Sequence, residues 1–218
     1  MKVKLISYSK PHNSDSTQSI QDLVAYCARV SNPANQNNTE TNEKLIKYLT
    51  KENHWSPLEM VSICMEIETT RDIARQILRH RSFSFQEFSQ RYAVADLGFE
   101  AKEARIQDKK NRQNSIQTDD SDLILNWEIQ QNTVSETAAK AYQWALDNGI
   151  AKEQARSVLP EGMTVSRMYM NGTLRSWVHY IQLRSGNGTQ KEHQDVAVAC
   201  GEAIKEIFPM ITNFISNV

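Results

Sequence analysis

The chain has 218 residues, 39% of them hydrophobic, and a formal net charge of −1. That length can bury one sizeable core, so a single domain spanning 1–218 is expected, and the balanced charge gives no general pull toward nucleic acid or an anionic membrane. Cys27, Cys64 and Cys200 lack any Cys-x-x-Cys pair, and the five histidines lack His-x-x-x-His spacing, which predicts a reducing cytoplasmic setting and no metal centre.

Val3 and Leu5 alternate with lysines and predict a short opening strand. The start carries no long apolar leader-like run, and no later run approaches a membrane span. Ser9 to Ser19 reads as a loop. Ile20 to Val30 repeats apolar residues at helical spacing (Ile20, Leu23, Val24, Cys27) until Ser31-Asn32-Pro33, where proline blocks continuation. A polar loop from Asn35 to Asn42 leads to a second helix, Glu43 to Lys51. His54-Trp55-Ser56-Pro57 is a turn into Val61 to Glu68, whose strict alternation predicts a half-buried strand.

Thr70 is a candidate N-cap for a helix through Leu78, with Asp72 in its first turn. Its stripe of Ile73, Ala74, Ile77 and Leu78 leaves Gln76 and Arg79 on another face. That helix delivers the densest polar stretch of the chain, Arg79 to Tyr92, which holds three arginines, His80, Glu87, Ser89 and interleaved aromatics. One arginine at a helix end merely complements the dipole; a cluster of forks suits phosphate or carboxylate recognition. Glu100 to Asp120 is a charged, amide-rich excursion, read as a solvated face or as a partly basic rim over substrates. Asp122 to Asn148 is the longest helical stretch, stopped by Gly149, and Lys152 to Leu159 is a shorter helix. Thr164 to Met170 reads as a strand, Asn171-Gly172 as a break, and Thr173 to Leu183 as a helix with Arg175, His179 and Gln182 on its polar side. After the loop Ser185 to Gly188, Thr189-Gln190-Lys191-Glu192 predicts a capping box opening the last helix, with His193 on its surface. The class is α+β: a small antiparallel or mixed sheet packed with long helices. Neither a Rossmann glycine fingerprint nor a P-loop occurs, so a bound nucleotide would be held by side chains.

Arg79-His80-Arg81, then seven residues, then Ser89-Gln90-Arg91-Tyr92 resembles the signature of the flavin-dependent thymidylate synthases. Further segments agree in order: Ala28 to Ser31, His54 to Glu59, Ala155 to Pro160 and Asn171 to Trp177 through Arg184. The resemblance spans residues 20 to 205 and implies the reductive methylation of dUMP to dTMP. Methylenetetrahydrofolate would be the one-carbon donor, NADPH the reductant and FAD the cofactor, in a homotetramer whose active sites are shared between chains. Position by position, it implies dUMP contacts from Gln76, Arg79, Glu87, Ser89, Gln90, Arg91, Arg156 and Arg184. It implies flavin contacts from Ser56, Arg79, His80, Arg81, Glu87, Thr173, Arg175 and His179. His54, Ser89 and Arg184 are the implied catalytic positions, with Arg184 polarising the uracil. Gln86, Thr173 and His179 depart from residues common in the family. Two alternatives stay open at this point: a nucleic-acid module using the Arg79–Tyr92 stretch, and a flavin binder without catalysis.

Overall fold

The computed structural model describes residues 1–12, 18–186 and 188–213. Positions 13–17 of the predicted Ser9–Ser19 loop and position 187 of the Ser185–Gly188 loop lie outside them. A four-stranded antiparallel sheet runs in the order β1 (Lys2–Tyr8), β2 (Ser62–Thr70), β6 (Val165–Thr173), β3 (Phe83–Glu87). A separate hairpin pairs β4 (Arg105–Gln107) with β5 (Ser115–Gln117).

Alternation along β2 explains the sheet's two faces. Ile63, Met65 and Ile67 are fully buried, and Met168 and Met170 of β6 join them. On the opposite face Glu66 and Glu68 sit directly across from Tyr169 and Arg167. Tyr169 donates to Glu66 Oε2 at 2.8 Å, and Arg167 meets Glu68 Oε1 at 2.7 Å. The apolar face is covered by α3 (Arg71–Ile77), α6 (Leu174–Arg184) and α7 (Lys191–Lys205), which contribute Ile73, Ile77, Trp177, Ile181, Val196 and Ile204 to one core. Trp177 is wholly buried, and its indole N–H is satisfied by the Ile63 carbonyl at 3.0 Å. Two further helices, α1 (Ile20–Ala28) and α2 (Asn42–Lys51), add Val24 and Ile46 to that core. The long α4 (Ser121–Asp147) packs instead with the short α5 (Lys152–Ala155) in a small satellite of Tyr142, Ala145 and Ala155.

Four expectations are corrected. Asn171-Gly172 does not break the chain: both residues lie in β6, opposite Ser84 and Phe83. Gly172 is there for close approach, because a Cβ would collide with the Phe83 ring. The capping box forms at Ser19, where Asp22 N–H donates to Ser19 Oγ and Ser19 N–H to Asp22 Oδ2, each at 3.1 Å. It does not form at Thr189, because α7 starts one residue too late and Gln190 occupies the cap. The helix expected from Lys152 to Leu159 is a single α turn followed by a 3-10 turn, Arg156–Val158. Lastly, His193 is fully buried, not on the surface. Among the described residues no helix is long and apolar enough to cross a membrane.

Candidate active site

The residues predicted for the site gather in four groups, each anchored by a different pair of elements. The first joins the ends of α3 and α6. Arg79 and Arg81 follow α3 as exposed side chains with no hydrogen bond or ion pair among the described residues. Between them His80 turns inward, edge-on to Tyr180 with ring centroids 4.9 Å apart. Arg184, the last residue of α6, donates from Nε to His80 Nε2 at 2.9 Å. A guanidinium only donates, so Nε2 is bare and the ring is neutral, with its proton on Nδ1. Burial, then the Arg184 charge, push the His80 pKa down to about 4. The terminal guanidinium nitrogens of Arg184 have no partner among the described residues. Gln76, on α3, donates from Nε2 to Gln190 Oε1 at 2.8 Å and faces His193 Nδ1 with Oε1 at 3.3 Å.

The second group surrounds Glu87 at the end of β3. Its carboxylate accepts from Ser166 Oγ at 3.1 Å and from Arg75 Nη1 at 3.2 Å, with Arg71 Nη1 at 3.9 Å. Two cations and a hydroxyl hold that carboxylate in place on a largely buried side chain.

The third group lies where the chain leaves β3. The Ser89 carbonyl accepts from the Tyr92 and Ala93 N–H groups, both at 3.1 Å, which closes a tight turn. Gln90 is buried by that turn, and its side-chain Nε2 has no hydrogen-bond partner among the described residues. Such a donor is costly to leave unpaired, which marks it as a position poised for an acceptor. Arg91 pairs with Glu153 Oε2 at 3.3 Å, and Arg156 Nε reaches the Glu153 carbonyl at 3.3 Å. Two arginines 65 positions apart in sequence are thereby joined through one glutamate of the same chain.

The fourth group is on the far side of α6. Arg175 pairs with Glu59 of the 3-10 turn Ser56–Met60, which also carries Ser56. One helical turn on, His179 meets Trp55 edge-on at 4.9 Å. Burial, then the Arg175 charge, lower the His179 pKa. His54 sits before this turn with its ring edge-on to Tyr48 at 6.1 Å. Thr173 is taken up by a structural task, since its Oγ1 accepts from the Ser176 N–H at 3.2 Å and caps α6.

The excursion folds back over the molecule. Arg105 bridges the hairpin to Ser115, donating to its Oγ and its carbonyl at 2.8 Å each. The Lys102 backbone is pinned to α4 by Gln131 and by the Trp127 indole N–H. Beside the hairpin lies a cavity of about 530 Å³ whose lining includes Arg105, Arg112, Trp127, Gln190 and Glu192.

Sequence reasoning missed Tyr180, Gln190 and His193, which link Gln76 to the core. For His193 the signal was present: positions 193, 196, 197, 200 and 204 recur at helical spacing, so the histidine shares the face of Val196, Cys200 and Ile204. It also missed that Phe83 to Glu87 form a strand.

The family model described as "Thymidylate synthase complementing protein" matches residues 14–210. A probable flavin-dependent thymidylate synthase of Paramecium bursaria Chlorella virus 1 is 47% identical over 211 residues, covering 97% of both chains. A flavin-dependent thymidylate synthase of Synechocystis sp. is 47% identical over 213 residues, again covering 97% of both. Among solved structures, the UMP/dUMP methylase PolB from Streptomyces cacaoi, bound with 5-Br dUMP, superposes with a TM-score of 0.81 at 27% identity, covering 100% of this chain and 96% of that one. By sequence along nearly its whole length and by fold, this chain belongs to the flavin-dependent thymidylate synthase family.

Proposed function

We propose that the protein methylates dUMP at C5 to give dTMP, with methylenetetrahydrofolate as one-carbon donor, NADPH as reductant and FAD as cofactor. The contact that carries this reading is the Arg184–His80 pair. It seats a cation from the substrate-side set against an imidazole from the flavin-side set, at 2.9 Å and with the imidazole neutral. Arg184 then has its two terminal nitrogens to offer to a pyrimidine carbonyl, where a fixed cation stabilises the charge that builds as C5 becomes nucleophilic.

The residues fit the cofactor. Arg79 and Arg81 are two guanidiniums unengaged among the described residues, beside a half-buried imidazole, a donor set suited to diphosphate oxygens. FAD, when bound there, would relay two electrons from the nicotinamide to the pyrimidine. Those electrons are demanded by balance. A methylene carried by the folate must gain a hydride to become methyl, and if the hydride originates in NADPH the folate leaves as tetrahydrofolate. On the substrate side, Gln76, Ser89, Gln90, Arg91 and Arg156 would hold the nucleotide, and the buried Gln90 amide has a donor to give. Glu87 is held between Arg71 and Arg75 and would orient ligands on either side. Ser56, Arg175 and His179 would line the flavin edge, with His54 at the rim.

The four groups are anchored on different pairs of elements, and a homotetramer would let neighbouring chains complete each site. The apolar surface of α4, where Leu125, Trp127, Ile129, Val134 and Trp144 are exposed, supports such an assembly. Purified protein should show flavin absorbance and, given dUMP, methylenetetrahydrofolate and NADPH, should form dTMP. Flavin-free protein that retains nucleic acid instead would contradict the proposal.

A further inference from the structure

We infer that His193 is the positioning residue for Gln76, fixing the direction of its amide through a one-way hydrogen-bond chain that runs from Glu192 to Tyr180. This rests on the reading of Gln76 as a dUMP contact. The chain can be followed from its outer end. The Glu192 carboxylate only accepts, so it takes its bond at 2.8 Å from Gln190 Nε2. Gln190 must then turn Oε1 toward Gln76, which donates from Nε2 at 2.8 Å. Gln76 consequently faces His193 with its own Oε1, and at 3.3 Å that oxygen needs a donor, so the His193 proton sits on Nδ1. Nε2 is left bare and accepts from the Tyr180 hydroxyl at 3.1 Å.

The Glu192 carboxylate sets one polarity along the chain. Turning the Gln76 amide over would set oxygen against the Gln190 oxygen, and would require the His193 proton to move from Nδ1 to Nε2 and the Tyr180 hydroxyl to turn from donor to acceptor. No water assists that change, because His193 is fully buried and Tyr180 nearly so. The imidazole also stays uncharged. Burial first, then the Arg184 charge and His80, push its pKa down to about 3. The groups facing it are Tyr180, Gln76 and His80. The result is a Gln76 side chain that offers its second N–H and its second lone pair in one fixed direction. Helix α7 therefore presets a residue of α3, and the setting originates at Glu192 in the lining of the cavity beside the hairpin.

The test compares steady-state dUMP kinetics in the flavin-loaded enzyme for Gln76→Ala, His193→Leu, His193→Asn and Glu192→Gln. Gln76→Ala should raise the KM for dUMP about tenfold, the equivalent of one lost hydrogen bond. His193→Leu should do the same while flavin content and NADPH oxidation without dUMP stay at wild-type values. His193→Asn places an amide N–H where Nδ1–H was and should return KM to within about threefold of wild type. Glu192→Gln keeps the shape but can donate as well as accept, so it should raise KM by about threefold or more through lost direction alone. A wild-type KM in His193→Leu overturns the inference. So does an equal loss in the Leu and Asn variants with Glu192→Gln unaffected, which would be packing alone. Should His193→Leu not fold, a KM well beyond threefold of wild type in His193→Asn, or a wild-type KM in Glu192→Gln, overturns the inference. An unchanged KM in Gln76→Ala removes the substrate reading of Gln76 and the inference with it. A raised KM there beside unaffected His193 variants removes the inference only.

Discussion

Replacing Arg184 by alanine separates the two roles available to a cation at the end of α6. As a structural element it supplies one hydrogen bond to His80 Nε2 and a favourable charge at a helix C-terminus. The bond is worth about 1 kcal/mol net and the dipole term about 0.3–1 kcal/mol. Because His80 is only half-buried, water can take over part of that bond, so the sum stays near 1–2 kcal/mol by the same order-of-magnitude values. For a chain of this length such a loss moves Tm by roughly 2–8 °C. As the residue that polarises uracil, Arg184 would instead supply about 2.7–4 kcal/mol of barrier lowering, roughly a hundred- to a thousandfold in rate. The assay is dTMP formation under saturating dUMP and methylenetetrahydrofolate, run beside thermal melting, flavin content and NADPH oxidation in the absence of dUMP. Arg184→Ala should lose dTMP formation by that factor, lower Tm by no more than that interval, and keep flavin content and dUMP-independent NADPH oxidation nearly intact. Arg184→Lys should recover little, since an ammonium cannot reproduce a planar fork that serves His80 and a carbonyl together. The His80 pKa should rise in the alanine variant but remain below its ordinary value, because burial, the larger cause, persists. A folded, flavin-loaded Arg184→Ala enzyme with near wild-type dTMP formation would refute this reasoning.

Replacing Cys27, Cys64 and Cys200 together by alanine or serine should leave dTMP formation in place, because burial raises all three thiol pKa values and disfavours the thiolate; loss of turnover in a folded, flavin-bound variant would contradict this. Gly172→Ala should destabilise by about 1–3 kcal/mol, read as a lowered Tm, because the new Cβ meets the Phe83 ring within the sheet. His193 and His80 have folded pKa values of about 3 and about 4, below the unfolded value, so their stabilisation is complete above about pH 6.5 and is lost as pH falls toward those values. Within that window His193 should contribute a slope of about 1.4 kcal/mol per pH unit, with less from the half-exposed His80. A melting series from pH 7 to 4.5 should therefore be shallower in His193→Asn, and parallel curves would refute the assignment. Mixing inactive Arg184→Ala with inactive Arg156→Ala subunits should restore part of the activity if sites are shared between chains; verified mixed tetramers that stay inactive would exclude sharing.

Much of the scaffold was legible because it follows from periodicity. The alternation of Ile63, Met65 and Ile67 with Cys64, Glu66 and Glu68 gave β2 and its buried face, and the Leu174, Trp177, Val178, Ile181 spacing gave α6. Strand β3 was obscured by its neighbours: Phe83 and Phe85 alternate with Ser84 and Gln86, but the flanking arginines and Glu87 read as a binding stretch. The strand both presents Glu87 and depends on Gly172, and that dependence is a steric fact between segments far apart in sequence. The candidate site residues could be proposed from the motif, whereas the side chains they meet could not. Nothing local to Arg184 says that its Nε will be spent on His80, nor does anything local to Arg91 point to Glu153. Those pairings depend on how α3, β3, α5 and α6 come together, and only tertiary structure supplies that.

In the proposed reaction the hydride completing the methyl group comes from NADPH by way of the flavin, and the folate gives up only its one-carbon unit. The direct measurement is the product ratio in a complete reaction, with dTMP, NADP⁺ and both reduced folates quantified from one mixture. With oxygen excluded, so that NADPH has no other electron sink, equal amounts of dTMP, NADP⁺ and tetrahydrofolate are expected beyond the one equivalent that reduces the flavin, with no dihydrofolate. Dihydrofolate formed in step with dTMP, or NADPH consumed by a folded, flavin-loaded enzyme with no dTMP at all, would contradict the proposed reaction.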